Sequence, residues 1–115
     1  MAALDTVADY IHQARVLLQD TVETYRYSDA EILAALNFGL TEARRLRPDM
    51  FIGRLDAVPF YTDDADAVDF DVQYRMALLY YIIGNVQLRD DEDTTDARAA
   101  ALLTKFVAQL TQSNA

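Results

Sequence analysis

The sequence predicts an all-α fold, a small bundle of about four helices with a long acidic loop between the second and third. Three observations lead there. Apolar residues recur at steps of three and four in three separate stretches, and a fourth stretch is apolar on most of its circumference. Ser28 followed by Glu31 is the strongest helix-start signal in the chain. From Asp49 to about Phe70 the periodicity fails, and Gly53, Pro59 and scattered aromatics alternate with aspartates. At 115 residues, 52% of them hydrophobic, the chain suits one domain that buries its own core, with a flexible C-terminal tail from about Gln109 to Ala115.

In the first stretch Val7, Tyr10, Ile11, Ala14, Leu17 and Leu18 share one helical stripe, capped by Asp5 or Thr6, with Asp9, His12, Gln13 and Gln19 on the wetter face. The helix should fade around Asp20 to Glu23. The second begins at Ser28, where each side chain of the capping box can satisfy a backbone donor at the other's position. Asp29 and Glu31 favour the positive end of its dipole, and Arg44, Arg45 and Arg47 the negative end. Its inward stripe is Ile32, Leu33, Leu36, Leu40, Ala43 and Leu46, and Pro48 stops it. Tyr27, just before the cap, should pack on Ile32 or Leu33 as a hydrophobic staple. Gly39 in mid-helix costs about 1 kcal/mol against alanine, which predicts a close crossing by another helix.

The connection from Asp49 to Phe70 reads as a partly ordered loop with room for a short hairpin, since Met50, Phe51, Ile52, Val58, Phe60 and Tyr61 argue against full disorder. Asp69 or Asp71 then caps "VQYRMALLYYIIGNVQLR", apolar on most of its circumference and therefore central, with Gly84 inviting close packing. After the acidic turn "DDEDTTD", a fourth helix from about Thr95 to Leu110 carries Ala99, Leu102, Leu103, Phe106, Val107 and Leu110 inward.

Nineteen acidic residues against ten basic ones give a formal charge of −9, which repels nucleic acid phosphates. Seven acidic residues lie between Asp49 and Asp71 and five between Asp90 and Asp96, so the charge sits in the connections. Nine of the ten basic residues are arginine, suited to bidentate pairing with carboxylates. Without cysteine and with a single histidine, disulfides, thiolate chemistry, nucleophilic triads and histidine-rich metal sites fail on inventory. The N-terminal stretch lacks the basic and apolar regions of a signal peptide. The longest apolar run, "MALLYYIIGNV", falls short of the roughly 18 residues that span a bilayer.

Two metal patterns dissolve on inspection. Asp9 and His12 have the spacing of a carboxylate and an imidazole facing one ion, but a di-iron bundle needs two such helices and further glutamates, so a solvated face is the reading. Asp64 and Asp66 begin a calcium-loop alternation that breaks at Val68, at Asp69 where the turn glycine belongs, and at Arg75 where a bidentate glutamate is needed. Carboxylates are plentiful, yet nothing singles out an acid–base pair and there is no glycine-rich phosphate loop. No enzyme, metal or cofactor is expected.

"LLQDTVETYRYSDAEILAALNFGLTEARRLRPDMF" resembles the N-terminal half of the head-tail adaptor proteins of tailed bacteriophages, also called head completion or connector proteins. Arg15, Leu17, Leu18 and Asp20 match the first part of the family pattern, Tyr25 to Asp29 its "YRYSD" start, Asn37 its helix asparagine, and Arg47, Pro48, Asp49 with Phe51 its "RPD" and aromatic. "YRMALLYYIIGNVQLRDDEDTTDARAAALLTKF" is similar to the long helix, acidic turn and alanine-rich closing helix that follow.

The resemblance implies a structural subunit, made in the host cytoplasm and carried in the virion. Such subunits form a ring, commonly twelvefold, on the portal protein, extending the DNA channel and offering a platform to tail or nozzle proteins. It also implies portal docking through the tail, here Gln109, Leu110, Thr111, Gln112, Ser113, Asn114 and Ala115. A ring that DNA threads should not grip phosphates, which fits the acidity. Ring contacts are heterologous, so Arg44, Arg45 and Arg47 are expected to face the portal or the acidic loop of a neighbour at Asp63, Asp64 and Asp66. The rival reading is an acidic DNA mimic or other inhibitory binding module. A mimic needs a regular double row of acid on a folded surface, whereas here the acid is concentrated in connections.

Overall fold

The computed structural model describes residues 4–22, 25–52, 59–88 and 96–111, and among them it contains four α-helices and no strand. Helix α1 is Val7–Leu18, α2 is Asp29–Leu46, α3 is Arg75–Leu88 and α4 is Asp96–Thr111. Short 3-10 turns at Pro48–Phe51 and Val72–Tyr74 close α2 and lead into α3. The acidic turn expected before α4 lies outside the described residues.

Of the two candidate caps for α1, Thr6 is the one used. Its hydroxyl accepts from the Asp9 amide (3.2 Å), and the Asp9 carboxylate accepts from the amides of Thr6 (3.0 Å) and Asp5 (3.1 Å). The Thr6 amide, foremost among these contacts, holds the Asp9 carboxyl below the usual carboxylate range. At the other end Gln19 turns left-handed (φ 59°), a conformation glycine usually fills, and its amide reaches back to the carbonyls of Arg15 and Val16. Val7, Tyr10, Ile11 and Ala14 are buried as the spacing predicts, but Leu17 faces out and Arg15 faces in.

The capping box of α2 forms as expected, with Glu31 N donating to Ser28 Oγ (3.1 Å) and Ser28 N to Glu31 Oε1 (3.3 Å). Tyr27 and Ile32 are buried in one apolar cluster, the arrangement of a staple. Ile32, Ala35, Leu36, Leu40 and Ala43 line the buried face, with Leu33 and Leu46 packed at its edge.

Helix α3 is the centre of the molecule, packing against each of the other three. Asp71 organises the turn before it, its carboxylate accepting from the Gln73 amide (3.0 Å) and its carbonyl from the Tyr74 amide (2.9 Å). Leu78, Leu79, Ile82 and Ile83 are almost wholly buried, each contributing about 1.5–3 kcal/mol relative to an exposed side chain. Both mid-helix glycines mark close crossings. A Cβ on Gly39 of α2 would lie 2.6 Å from Leu78 Cδ1 and 3.0 Å from Tyr81 Cδ1, and one on Gly84 would lie 3.0 Å from the Ala99 carbonyl of α4.

Helix α4 buries Ala99, Phe106 and Leu110, keeps Leu102 and Leu103 half-buried, and leaves Val107 exposed, contrary to the expected inward stripe. It also runs further than the tail boundary at Gln109 allowed. Gln109, Leu110 and Thr111 are helical and Leu110 is fully buried, because the apolar spacing from Phe106 carries one more turn into the core. Gln112, Ser113, Asn114 and Ala115 lie outside the described residues.

Of the acidic connection, residues 59–71 form a strap laid against the start of α1, with a turn where the Asp66 amide donates to the Asp63 carbonyl (3.0 Å). No hairpin appears among the described residues; there is one isolated antiparallel bridge, Thr6 to Ala67. The reason lies in the helix. Its first amides have no partner within α1, so Val7 and Ala8 donate to the carbonyls of Asp66 and Asp64 (both 3.0 Å), and Val68 N donates back to the Asp5 carbonyl (2.7 Å). Val68 and Phe70 are buried beneath.

Replacing Gly39 by alanine should lower stability by about 1–3 kcal/mol despite the gain in helix propensity, because the buried Leu78 side chain and the Tyr81 ring must shift to admit the methyl group. Urea unfolding followed by circular dichroism measures this; an equally stable or more stable variant would show that the crossing has slack.

Candidate functional site

Polar residues of the stretches singled out in the sequence build three intramolecular fastenings. The first is built on Arg15, whose side chain is turned inward from α1. Its Nη1 donates to Asp20 Oδ2 (3.0 Å) and to the Tyr27 carbonyl (2.9 Å), its Nη2 pairs with Asp29 at the start of α2, and its guanidinium lies 3.8 Å from the centre of the Tyr25 ring. The Asp20 carboxylate accepts in addition from the amides of Arg26 (2.8 Å) and Tyr27 (3.0 Å). Arg15 and Asp20 keep only 6% and 8% of their surface exposed, so this is a buried ion pair, and one with hydrogen bonds on both partners. "YRYSD" is thus the docking sequence for one arginine.

The second is Asn37, buried in mid-α2. Its Nδ2 donates to the Tyr61 carbonyl (3.0 Å) while its Oδ1 accepts from the Tyr61 amide (2.9 Å), so the side-chain amide pairs with the strap as a neighbouring strand would. The Tyr61 hydroxyl in turn accepts from the Asp69 amide (2.8 Å), folding the strap on itself.

Arg47 makes the third. Its Nε and Nη2 form a fork on the two oxygens of Asp49 (2.9 and 2.8 Å), and its Nη1 donates to the Leu110 carbonyl at the end of α4 (2.6 Å) and to the Tyr74 hydroxyl (3.2 Å). The fork holds the Asp49 carboxyl below the ordinary range. One residue therefore ties the ends of α2 and α4 to the turn before α3.

These positions correct the expectation that Arg47 faces a partner, because its donors are engaged within the chain. Arg44 and Arg45 do lie on the surface, Arg45 forked on Glu42 one turn earlier (2.8 Å at the shortest), a pairing open to exchange in water. On the strap Asp63 and Asp64 are exposed, whereas the Asp66 carboxylate is half-buried and accepts from the Asp63 amide (3.2 Å). Arg45 and Arg47 take their carboxylates from Glu42 and Asp49, not from the strap of their own chain. Leu110, placed in the docking tail by resemblance, belongs to the core.

Sequence reasoning missed the inward direction of Arg15, Asn37 and Arg47. A signal was present, since each follows a residue of the apolar stripe by four, Ile11, Leu33 and Ala43 respectively, and so lies in step with it. Among the described residues no group of three or more metal-ligating side chains converges, and no helix is long and apolar enough to cross a membrane. No family model, curated protein or solved structure matches the chain.

Arg15→Met should destabilise the fold by about 3–5 kcal/mol, because Asp20 would be left charged and buried. That is a large part of the roughly 5–15 kcal/mol available to a domain, so the variant should be partly unfolded by circular dichroism at 37 °C. A loss below about 1 kcal/mol would mean the pair is not buried in solution. Asn37→Ala should act locally instead: amide exchange at Tyr61 and Asp69 should accelerate while exchange in α3 is unchanged. Uniform acceleration would show that the strap and the bundle open as one unit.

Proposed function

We propose that the protein is a structural head-tail adaptor of a tailed bacteriophage, assembling as a ring on the portal, extending the DNA channel and presenting a platform to tail or nozzle proteins. The observation that carries this reading is the ordered series Arg15, Asp20, Tyr25 to Asp29, Asn37 and Arg47 to Phe51, which resembles the adaptor pattern across most of its length. The geometry adds a reason why such a series would be kept together. Arg15, Asp20, Asn37 and Arg47 each fasten one element to another, and a subunit that must present the same outline to two neighbours benefits from fixed joints between its helices. The formal charge of −9 supports a channel that DNA slides through.

Arg47 is engaged internally, so Arg44 and Arg45 are the surface cations at this end of α2 that would meet the portal. Portal docking through the chain's end narrows to Gln112, Ser113, Asn114 and Ala115, because Gln109, Leu110 and Thr111 complete α4.

The test is negative-stain electron microscopy of the protein mixed with the portal encoded in the same genome. An added ring of density on the tail side of the portal is expected; a folded protein that leaves the portal unchanged would overturn the reading and favour the acidic inhibitor. The double variant Arg44→Glu, Arg45→Glu should stay helical and bind the portal at least about tenfold more weakly. Unaltered binding would remove these two residues from the contact.

A further inference from the structure

Around Tyr61 the strap has one bonded edge and one free edge. On the bonded edge the amide and the carbonyl of Tyr61 are both held by the side chain of Asn37. A trans peptide sends its N–H and C=O in opposite directions, so the Phe60 carbonyl and the Thr62 amide, on either side of Tyr61, point away from Asn37. Neither makes a hydrogen bond, and Phe60 and Thr62 are both exposed. An acceptor and a donor on one side of a chain, two residues apart, are what a strand edge offers to another strand. Beside them runs a groove of about 220 Å³, walled by Leu33 and Ala34 of α2 and by Phe60 and Thr62, with Phe60 74% exposed. Its flanks are acidic: there are three acidic residues and no cation from Asp29 to Ala43, and five aspartates and no cation from Pro59 to Tyr74. The Asp63 and Asp66 carboxylates accept from the amides of Ala65 (3.0 Å) and Asp63 (3.2 Å), whereas the exposed Asp64 carboxylate has no partner.

We infer that this free edge takes up an extended, cation-bearing segment of another protein, whose backbone bonds to the Phe60 carbonyl and the Thr62 amide. An extended backbone is required because it alone presents a donor and an acceptor at the matching spacing on one side. A strand added there shares the pleat of the strap, so every second side chain falls on the face of Phe60 and Thr62, and one apolar side chain can enter the groove they wall. Lysine or arginine beside that side chain meets Asp64, and an acidic segment would be repelled by both flanks. The described residues of the chain supply no such segment, because their cations sit on helices or in the Arg15 and Arg47 fastenings. Backbone bonding gives affinity with little regard to sequence, while the groove and Asp64 select an apolar residue flanked by positive charge. The inference is drawn from the strap alone and does not rest on the adaptor reading.

The test is an NMR titration of the full-length protein with the peptide acetyl-Lys-Val-Lys-Leu-Lys-Val-Lys-amide. Shift changes should centre on Ala34, Phe60 and Thr62, and exchange of the Thr62 amide should slow. The same peptide with glutamate in place of lysine should bind at least about tenfold more weakly. Two further peptides separate strand pairing from charge attraction. One is N-methylated at the lysine amides and the other at the valine and leucine amides, and since only one row of amides can face the strap, their affinities should differ at least about tenfold. Phe60→Ala, which removes an exposed side chain and should leave the helical signal unchanged, should weaken binding of the parent peptide. No binding at about 1 mM peptide, equal affinity of the two methylated peptides, or shifts scattered over the acidic surface would overturn the inference. So would protection of the Thr62 amide that grows with protein concentration in the absence of peptide, because a second copy would then hold the edge. Portal binding is scored separately: peptide binding without a ring on the portal upholds this edge and removes the adaptor reading, and a ring without peptide binding does the reverse.

Discussion

A guanidinium that has been taken out of water dictates the shape of the N-terminal half. Arg15 retains 6% of its surface, and a charge so enclosed survives only if carboxylates and acceptors are brought to it in fixed positions. Asp20 arrives by way of the left-handed turn at Gln19, and Asp29 by way of the α2 start, while Tyr25 covers the planar face. The angle between α1 and α2 is thus set by hydrogen-bond geometry as much as by apolar packing. Apolar side chains alone would tolerate a range of angles, because dispersion and burial are non-directional. A fork of directed donors tolerates little.

The rest of the bundle inherits that constraint. Once α1 and α2 are fixed, α3 has to cross α2 at Gly39, where the contact with Leu78 and Tyr81 leaves no room for a methyl group, and α4 has to cross α3 at Gly84. Arg47 then joins the far ends, linking α2, the turn before α3 and the Leu110 carbonyl near the end of α4. Satisfying a C-terminal carbonyl with an arginine from another helix caps α4 and positions it at once.

What was legible in the sequence was what local spacing encodes. The capping box at Ser28, the central place of α3 and the two close crossings could be read because each depends on residues within a turn or two, or on the absence of a side chain. The long-range roles were not legible. Arg15 to Asp29, Asn37 to Tyr61 and Arg47 to Leu110 join residues 14, 24 and 63 positions apart, and no periodicity states which partner a polar side chain will find. Arginine near a helix end is ordinarily accounted for by the dipole, which is why Arg47 read as a surface residue. Leu110 read as both core and tail for a related reason. The helical step placed it inward, while its nearness to the chain end suggested fraying, and the burial of its neighbour Phe106 decided the matter.

The reach of the Arg47 bond has a consequence for the order in which the molecule is completed as it leaves the ribosome. The Arg15 cluster closes within residues 15 to 29, a short loop whose ends meet at small entropic cost, so the first two helices can be joined while the second half is unmade. The Arg47 fork has its Asp49 partner at once, but its link to the end of α4 needs Leu110, 63 residues further along the chain. Until then α3, apolar around its circumference, has no α4 to cover it. The nascent chain therefore displays its most apolar helix until α4 has been made, and the last turn of α4 latches the assembled bundle through Leu110.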